Sequence, residues 1–315
     1  MNMIRVISII ALAGTLNNVL KAQSFTTNLD DRRIELEAIN SRMEQLYLTE
    51  DAAALTNLYA NQCTFFPEYK PAIFESKALN KFFKDWFTVG DVKMYKKKIS
   101  VAEVYSDHLL ELGTFSIHYS SIKNPRGEYK GNYMVLWKSD DKGKLSIISE
   151  TFGADTYIEP EVVPYASVQV EETNFTAIDN VNKKLIAEIE AFDAVVLKAV
   201  ANGDGNARAE GFTPDAILLS NFDSIRMGME NIRPKMLKTY TPNASFIVKH
   251  NYYRIYDLGD YVFVTAHYKG GWGDSTNGGR FEGNMSNLLK RTKNGKLLMH
   301  RQAGNRDRGL VLFNN

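Results

Sequence analysis

The chain says one thing twice. The stretch "GNYMVLWKSDDKGKL" (131–145) returns as "GNMSNLLKRTKNGKL" (283–297), each opening Gly-Asn, carrying Lys at the eighth position and closing Gly-Lys-Leu. Self-similarity at a long fixed period constrains architecture before any single residue does. A shift of about 153 residues brings other segments together in order. Leu36, Ile39, Met43, Leu46 and Tyr47 form a helical stripe that matches Ile189, Phe192, Val196, Ala199 and Val200. Each stripe stops at an acid, Asp51 or Asp204. Next, "LYANQCTFF" pairs with "GFTPDAILL", with Tyr59 on Phe212 and Phe65 on Leu218. Leu79, Phe83 and Phe87 then match Ile232, Met236 and Tyr240. "YSDHLLELGTFSIHY" and "LGDYVFVTAHYKG" carry the β-branched and aromatic content of strands. The opening pair follows at a shift of 152, one residue having been lost in the loop before it. The Gly before each closing Lys-Leu signals a hairpin turn.

Each half therefore reads as three helices followed by about four antiparallel strands, an α+β arrangement. The two halves span 33–155 and 183–308. Between them, residues 156–182 contain two prolines and several acids without a period, which reads as a linker or extended arm.

At 315 residues the chain suits two domains, and its 44% hydrophobic and 24% charged composition is that of a globular protein. A net charge of +1 with no basic stripe argues against a nucleic-acid partner. The cluster "KMYKKK" (93–98) reads as a solvated strand face. Residues 1–23 place Arg5 before a short apolar run and then small polar residues, the layout of a signal peptide cleaved near Ala22. The mature protein is expected to be exported and free of the membrane. The lone Cys63 reads as a buried small hydrophobe. Sequons occur at Asn174, Asn243 and Asn284.

The amphipathic first helix, "LTEDAAALTNLYANQCTFFPE", the helix "ALNKFFKDWF" and the hairpin "MVLWKSDDKGKLSIISE" together resemble the SnoaL-like, or nuclear-transport-factor-2-like, superfamily. The second half, from "ANGDGNARAEGFTPDAILL" to "LLKRTKNGKLLMHRQ", is similar to the same pattern. The resemblance implies two tandem cone-shaped domains, each with three helices on a curved antiparallel sheet and a pocket between. In such folds the outer sheet face often packs on a second copy, so one chain would hold both halves of an intramolecular pseudo-dimer; a homo-oligomer stays open. The family includes isomerases, cyclases, dehydratases, epoxide hydrolases and proteins that only bind.

Such enzymes place a carboxylate or His deep in the cone, where burial tunes it for proton transfer. A strand period of two puts Ser146, Ile148, Glu150 and Phe152 on one face. This nominates Glu150 as base, Tyr47 as donor and Tyr133 as a neighbouring ligand-binding group. In the second half, Gln302 replaces Glu150, His300 replaces Ile148 and Val200 replaces Tyr47. His300 and Gln302 then share a face, with His267 on an adjacent strand, as a ligand-binding set. No carboxylate stands out in the sequence to complete a metal site with His267 and His300, so neither metal nor cofactor is expected. His118, near a strand terminus, reads as loop surface. "GGWGDSTNGGR" (270–280) reads as a long mobile hairpin, a plain flexible loop ahead of the alternative, a lid over the second pocket with Trp272 as its apolar cover. The leading reading is a binder of an unidentified small molecule. The alternative is an isomerase, cyclase or lyase working through Glu150 in the first pocket.

Overall fold

The computed structural model describes residues 29–172, 182–242, 245–273 and 277–314; the signal-peptide segment and the sequons at Asn174 and Asn243 lie outside them. The first half comprises α1 (Leu29–Leu48), α2 (Ala52–Thr56), β1 (Tyr59–Phe66), β2 (Ile73–Glu75), α3 (Ser76–Val89), β3 (Gly90–Tyr105), β4 (His108–Ser121), β5 (Gly127–Ser139) and β6 (Leu145–Ala154). The second comprises α4 (Lys183–Ala201), α5 (Gly205–Glu210), β7 (Phe212–Leu219), β8 (Arg226–Met227), α6 (Met229–Thr239), β9 (Ser245–Asp257), β10 (Tyr261–Gly273), β11 (Asn277–Arg291), β12 (Leu297–Arg306) and β13 (Val311–Asn314).

The sheets run β2-β1-β6-β5-β4-β3 and β8-β7-β12-β11-β10-β9, with β13 pairing on β11. Both sheets are mixed rather than antiparallel. "LYANQCTFF" and "GFTPDAILL" contribute strands, and β1 and β7 run parallel to β6 and β12. Asp51 and Asp204 cap the helices that follow them: each side chain accepts from the backbone N–H three residues on, at 2.9 Å. Gly143 and Gly295 hold φ of +83° and +78° in the two hairpin turns, where a side chain would be strained.

In the first half, α1 and α3 lay Leu36, Met43, Tyr47, Phe82, Phe83 and Trp86 on the sheet's inner face. Each such side chain, fully buried, stabilises the fold by roughly 1.5–3 kcal/mol. The segment after β6 belongs to this core and is no mere linker: Val163, Tyr165 and Val168 are buried in it, and Tyr165 packs edge-on against Trp86. The second half buries Ile189, Phe192, Val196, Ile232 and Met236 in the same way. Cys63 is fully buried, and burial pushes its thiol up to about 12, as an inert thiol requires. Among the described residues no helix is long and apolar enough to cross a membrane.

The outer faces of the two sheets meet. Leu110, Leu112, Met134, Leu136 and Ile148 pack against Ile217, Leu219, Phe263, Leu288 and Ala303. The backbone contacts at this seam are reciprocal. Tyr69 N donates to Arg306 O at 2.5 Å and Phe222 N donates to Ala154 O at 2.9 Å, and these pairs interchange under the repeat shift. Both aromatic residues adopt the left-handed region, at φ of +60° and +57°. Reciprocity of this kind is the signature of two-fold packing. Asn284 is fully buried in the seam, so the folded chain does not offer that sequon for glycosylation.

Candidate functional site

A β-bulge decides which side chains enter each cone. Trp137 pairs with Ile147 while Leu136 pairs with Ser149, so Ile148 is an extra residue. The bulge breaks the strict alternation expected over 146–152. Ile148 joins the layer between the sheets, whereas Glu150 and Phe152 point into the first cone. The second half repeats the bulge between Leu288 and Leu289, with His300 as the extra residue. His300 and Gln302 therefore do not share a face. Gln302 lines the second cone, and His300 lies outside it against Tyr261. Thr213 Oγ1 is 3.0 Å from its Nδ1. Burial, reinforced by the Arg301 guanidinium, lowers the His300 pKa to about 4, so the ring is neutral at pH 7.

The first cone holds the expected Glu150 but almost no space. Glu150 is 3% exposed. Its Oε1 accepts from Lys97 Nζ at 2.7 Å, and its Oε2 accepts from the hydroxyl of Tyr59. Lys97 also sits over the Tyr133 ring at 4.4 Å. Lys97 is buried, contrary to the solvated reading of its cluster, because Tyr95, Lys97 and Ile99 alternate inward while Lys93 and Lys96 pair with acids outside. Tyr47 is not the donor to Glu150; its ring stacks on Tyr95 at 4.0 Å. Tyr133 donates instead to Glu111, at 2.6 Å, which also accepts from Asn40 and Trp137. The cavity left among these groups is about 10 Å³, roughly one water.

The second cone encloses about 450 Å³. The repeat explains the difference. Four residues lining the first cavity, Tyr47, Trp86, Tyr95 and Phe152, correspond to Val200, Thr239, Val248 and Gly304, which line the second. Three ring systems become smaller side chains and a fourth becomes no side chain, while the backbone framework is kept. The charged pair changes with them: Lys97 and Glu150 correspond to His250 and Gln302.

Three polar groupings face this space. Arg208, from α5, is 5% exposed, and its Nη2 donates to Gln302 Oε1 at 3.3 Å. Its Nη1 is buried without a hydrogen bond, its guanidinium lies 4.4 Å from the centre of the Phe212 ring, and the Tyr240 hydroxyl and Asp193 are its electrostatic neighbours. No carboxylate among the described residues forms an ion pair with it. Asp193, from α4, sits 2.8 Å from His250 Nδ1 and also accepts from the Tyr252 hydroxyl. A carboxylate only accepts, so Nδ1 carries the proton and Nε2 is the nitrogen left for a ligand. Asn287 Oδ1 is buried and unpartnered. Trp272 lines the cavity from a strand rather than from a plain loop: Gly270–Gly273 pair with Gly278–Phe281, and the Trp272 ring covers Gly279.

His267 is on the opposite sheet face, beside Asp307 and Glu282, and not in the cone. His118 is half exposed but lies within β4, paired with Met94 and Glu128, rather than on a loop. Arg208, Asp193 and His250 had no motif to reveal them. The available signal was the repeat: Arg208 stands where the first half has Leu55, and Asp193 where it has Asn40.

No protein family and no curated protein matches the sequence. Solved structures do. A ketosteroid isomerase-like protein from Erwinia carotovora atroseptica is 19% identical over 40% of this chain and 98% of its own, with a TM-score of 0.35. A putative aromatic ring hydroxylase from Novosphingobium aromaticivorans is 18% identical over 42% of this chain and 96% of its own, with a TM-score of 0.36. An NTF-2-like protein of unknown function from Shewanella oneidensis is 15% identical over 38% of this chain and 98% of its own, with a TM-score of 0.33.

Proposed function

We propose that this is an exported small-molecule-binding protein whose pocket is the second cone. One observation carries the reading: about 450 Å³ is open where the equivalent space in the first half is filled to about 10 Å³. That volume lies within the 300–1,000 Å³ range of small-molecule sites. Its lining mixes Phe192, Met236, Trp272 and Phe281 with Arg208, Gln302 and His250, which suits an apolar body bearing an anionic or acceptor group. Arg208 would take that group, because a buried guanidinium with an unused donor gains most from a charged acceptor.

The test is to rebuild the first half's packing in the second. Anilinonaphthalene sulfonate, an apolar anion, serves as the probe for fluorescence titration. Val200→Tyr with Gly304→Phe is expected to weaken saturable probe binding by more than tenfold in a chain that stays folded. Unchanged binding would remove the second cone as the site. Export rests on the order of charge and apolar residues in 1–23, and mass spectrometry showing an intact Met1 on the protein from its native host would sink it.

A second reading is favoured by the Asp193–His250 pair: proton transfer on a bound ligand, with Asp193 orienting the imidazole. A ligand that co-purifies with the protein would then exchange an acidic C–H for deuterium in heavy water, and His250→Gln would abolish the exchange while binding persists. Equal exchange in the variant would dismiss this reading.

A further inference from the structure

At the seam, on the face of the second sheet that meets the first half, three chain segments bring together His267 of β10, Glu282 of β11 and Asp307 just beyond β12. His267 Nε2 lies 2.9 Å from Asp307 Oδ2 and 3.8 Å from Glu282 Oε2. One ligand atom from each residue falls within 4.8 Å of the other two. Metal–ligand bonds of about 2.0–2.2 Å place ligand atoms about 3–3.5 Å apart around one ion, so the observed separations bracket what a single cation needs.

The unpaired groups nearby point the same way. Asp307 is 8% exposed, yet its Oδ1 is buried with no hydrogen-bond partner. Asn284 is paired in register with His267 on one side and Asn305 on the other, is fully buried, and has neither side-chain atom bonded. Asn305 Oδ1 is likewise unpartnered. Three buried oxygen acceptors without donors thus stand beside a histidine. The repeat separates what is shared from what is not: Asp155, the equivalent of Asp307, also has a buried unpartnered Oδ1. The equivalent of Asn284 is Asn132, whose Nδ2 donates to Asp223 O across the seam at 2.7 Å. The residues equivalent to His267 and Glu282 are Thr114 and Lys130, so the first half has no such set. Lys269 approaches Glu282 at Oε1, 3.1 Å away, and leaves Oε2, the oxygen nearer His267, for the cluster.

We propose that His267, Glu282 and Asp307 bind one divalent transition-metal ion of the zinc class at the seam. An imidazole with two carboxylates is a donor set of that class, and the orphaned Asn284 oxygen stands beside it. The ion would tie β10, β11 and β12 together where Asn305 Nδ2 already grips Phe66 O and Phe152 O of the first half, at 2.7 and 2.8 Å. All three ligands come from the second half, beside the Asn305 contacts to the first, and the site is separate from the second cone.

The full chain, stripped with chelator, is titrated with Zn²⁺ by calorimetry and with Co²⁺ by absorption. One equivalent is expected to bind. His267→Gln and Asp307→Asn should each weaken binding by more than about 100-fold, beyond the loss from an outer-shell change. His118→Gln, an exposed histidine of the first half, should leave it unaltered. Absence of stoichiometric binding to the parent chain, or equal binding by the His267 and Asp307 variants, overturns the proposal. Should both variants fail to fold, X-ray absorption on the Co²⁺-loaded parent decides: one imidazole with oxygen ligands supports the site, and all-oxygen ligation refutes it.

Discussion

The two cones share a framework and differ in what fills it. The first closes over a buried Lys97–Glu150 pair with Tyr47, Trp86, Tyr95 and Phe152 around it. The second keeps the same helices and strands but carries Val200, Thr239, Val248 and Gly304, and opens. It also holds a buried Arg208 where the first half has Leu55. The lesson concerns duplication. A closed cone contributes packing, which frees its twin to spend stability on a cavity and an unpaired charge. The acid best placed by sequence for catalysis, Glu150, sits in the closed member and is engaged with an ammonium.

The comparison is broken most severely at the buried pair. Lys97→Ala removes the ammonium partner of the buried Glu150 carboxyl, and should destabilise the chain by about 3–5 kcal/mol in urea unfolding. The equivalent His250→Ala should cost far less and act on binding. A Lys97→Ala protein as stable as its parent would mean that the pair adds nothing to the stability of the first half.

Next comes pH, on which the halves respond in opposite directions. His300 has a folded value near 4 against an ordinary 6.5, so its contribution is present above pH 6.5 and lost as pH falls toward 4. Glu68 is buried in the first half, and desolvation raises it to about 7. Its contribution is present below about pH 4.5 and lost as pH rises through 7. Each effect is on the order of 3 kcal/mol over its window. His300→Ile, the residue of the first half, should flatten the acid limb of stability against pH, and Glu68→Gln the neutral limb. Exchanged or absent limbs would refute the assignments.

A smaller effect sharpens the contrast at Arg208. Arg208→Leu restores the residue of the first half and removes a buried charge that forms no salt bridge among the described residues. Unliganded stability should rise by about 1–2 kcal/mol while binding of the anionic probe falls. A less stable variant with undiminished binding would show that Arg208 serves the fold alone.

Much of this was legible in the residues. The repeat located both sheets, the helical stripes identified the buried faces, and Asp51 and Asp204 marked helix boundaries, as starts rather than stops. Glu150 was correctly sent inward, but for a reason that the bulge at Ile148 invalidates. The same bulge removed His300 from the set built around Gln302. Lys97 was hidden by its neighbours, since a run of lysines reads as solvent-facing unless its alternation with Tyr95 and Ile99 is weighed. His267 lacked carboxylates in sequence because Glu282 and Asp307 reach it only across paired strands.

The sequence by itself determined that one α+β unit occurs twice, since periodicity, caps and hairpin glycines are local and survive inspection residue by residue. Only the tertiary structure decided which unit is hollow, which face each polar side chain takes and what gathers at the seam. The physical reason is that a cavity is a difference between packed volumes contributed by several elements, and a one-residue bulge in β6 or β12 reverses a side chain's destination without altering the pattern of hydrophobic residues around it.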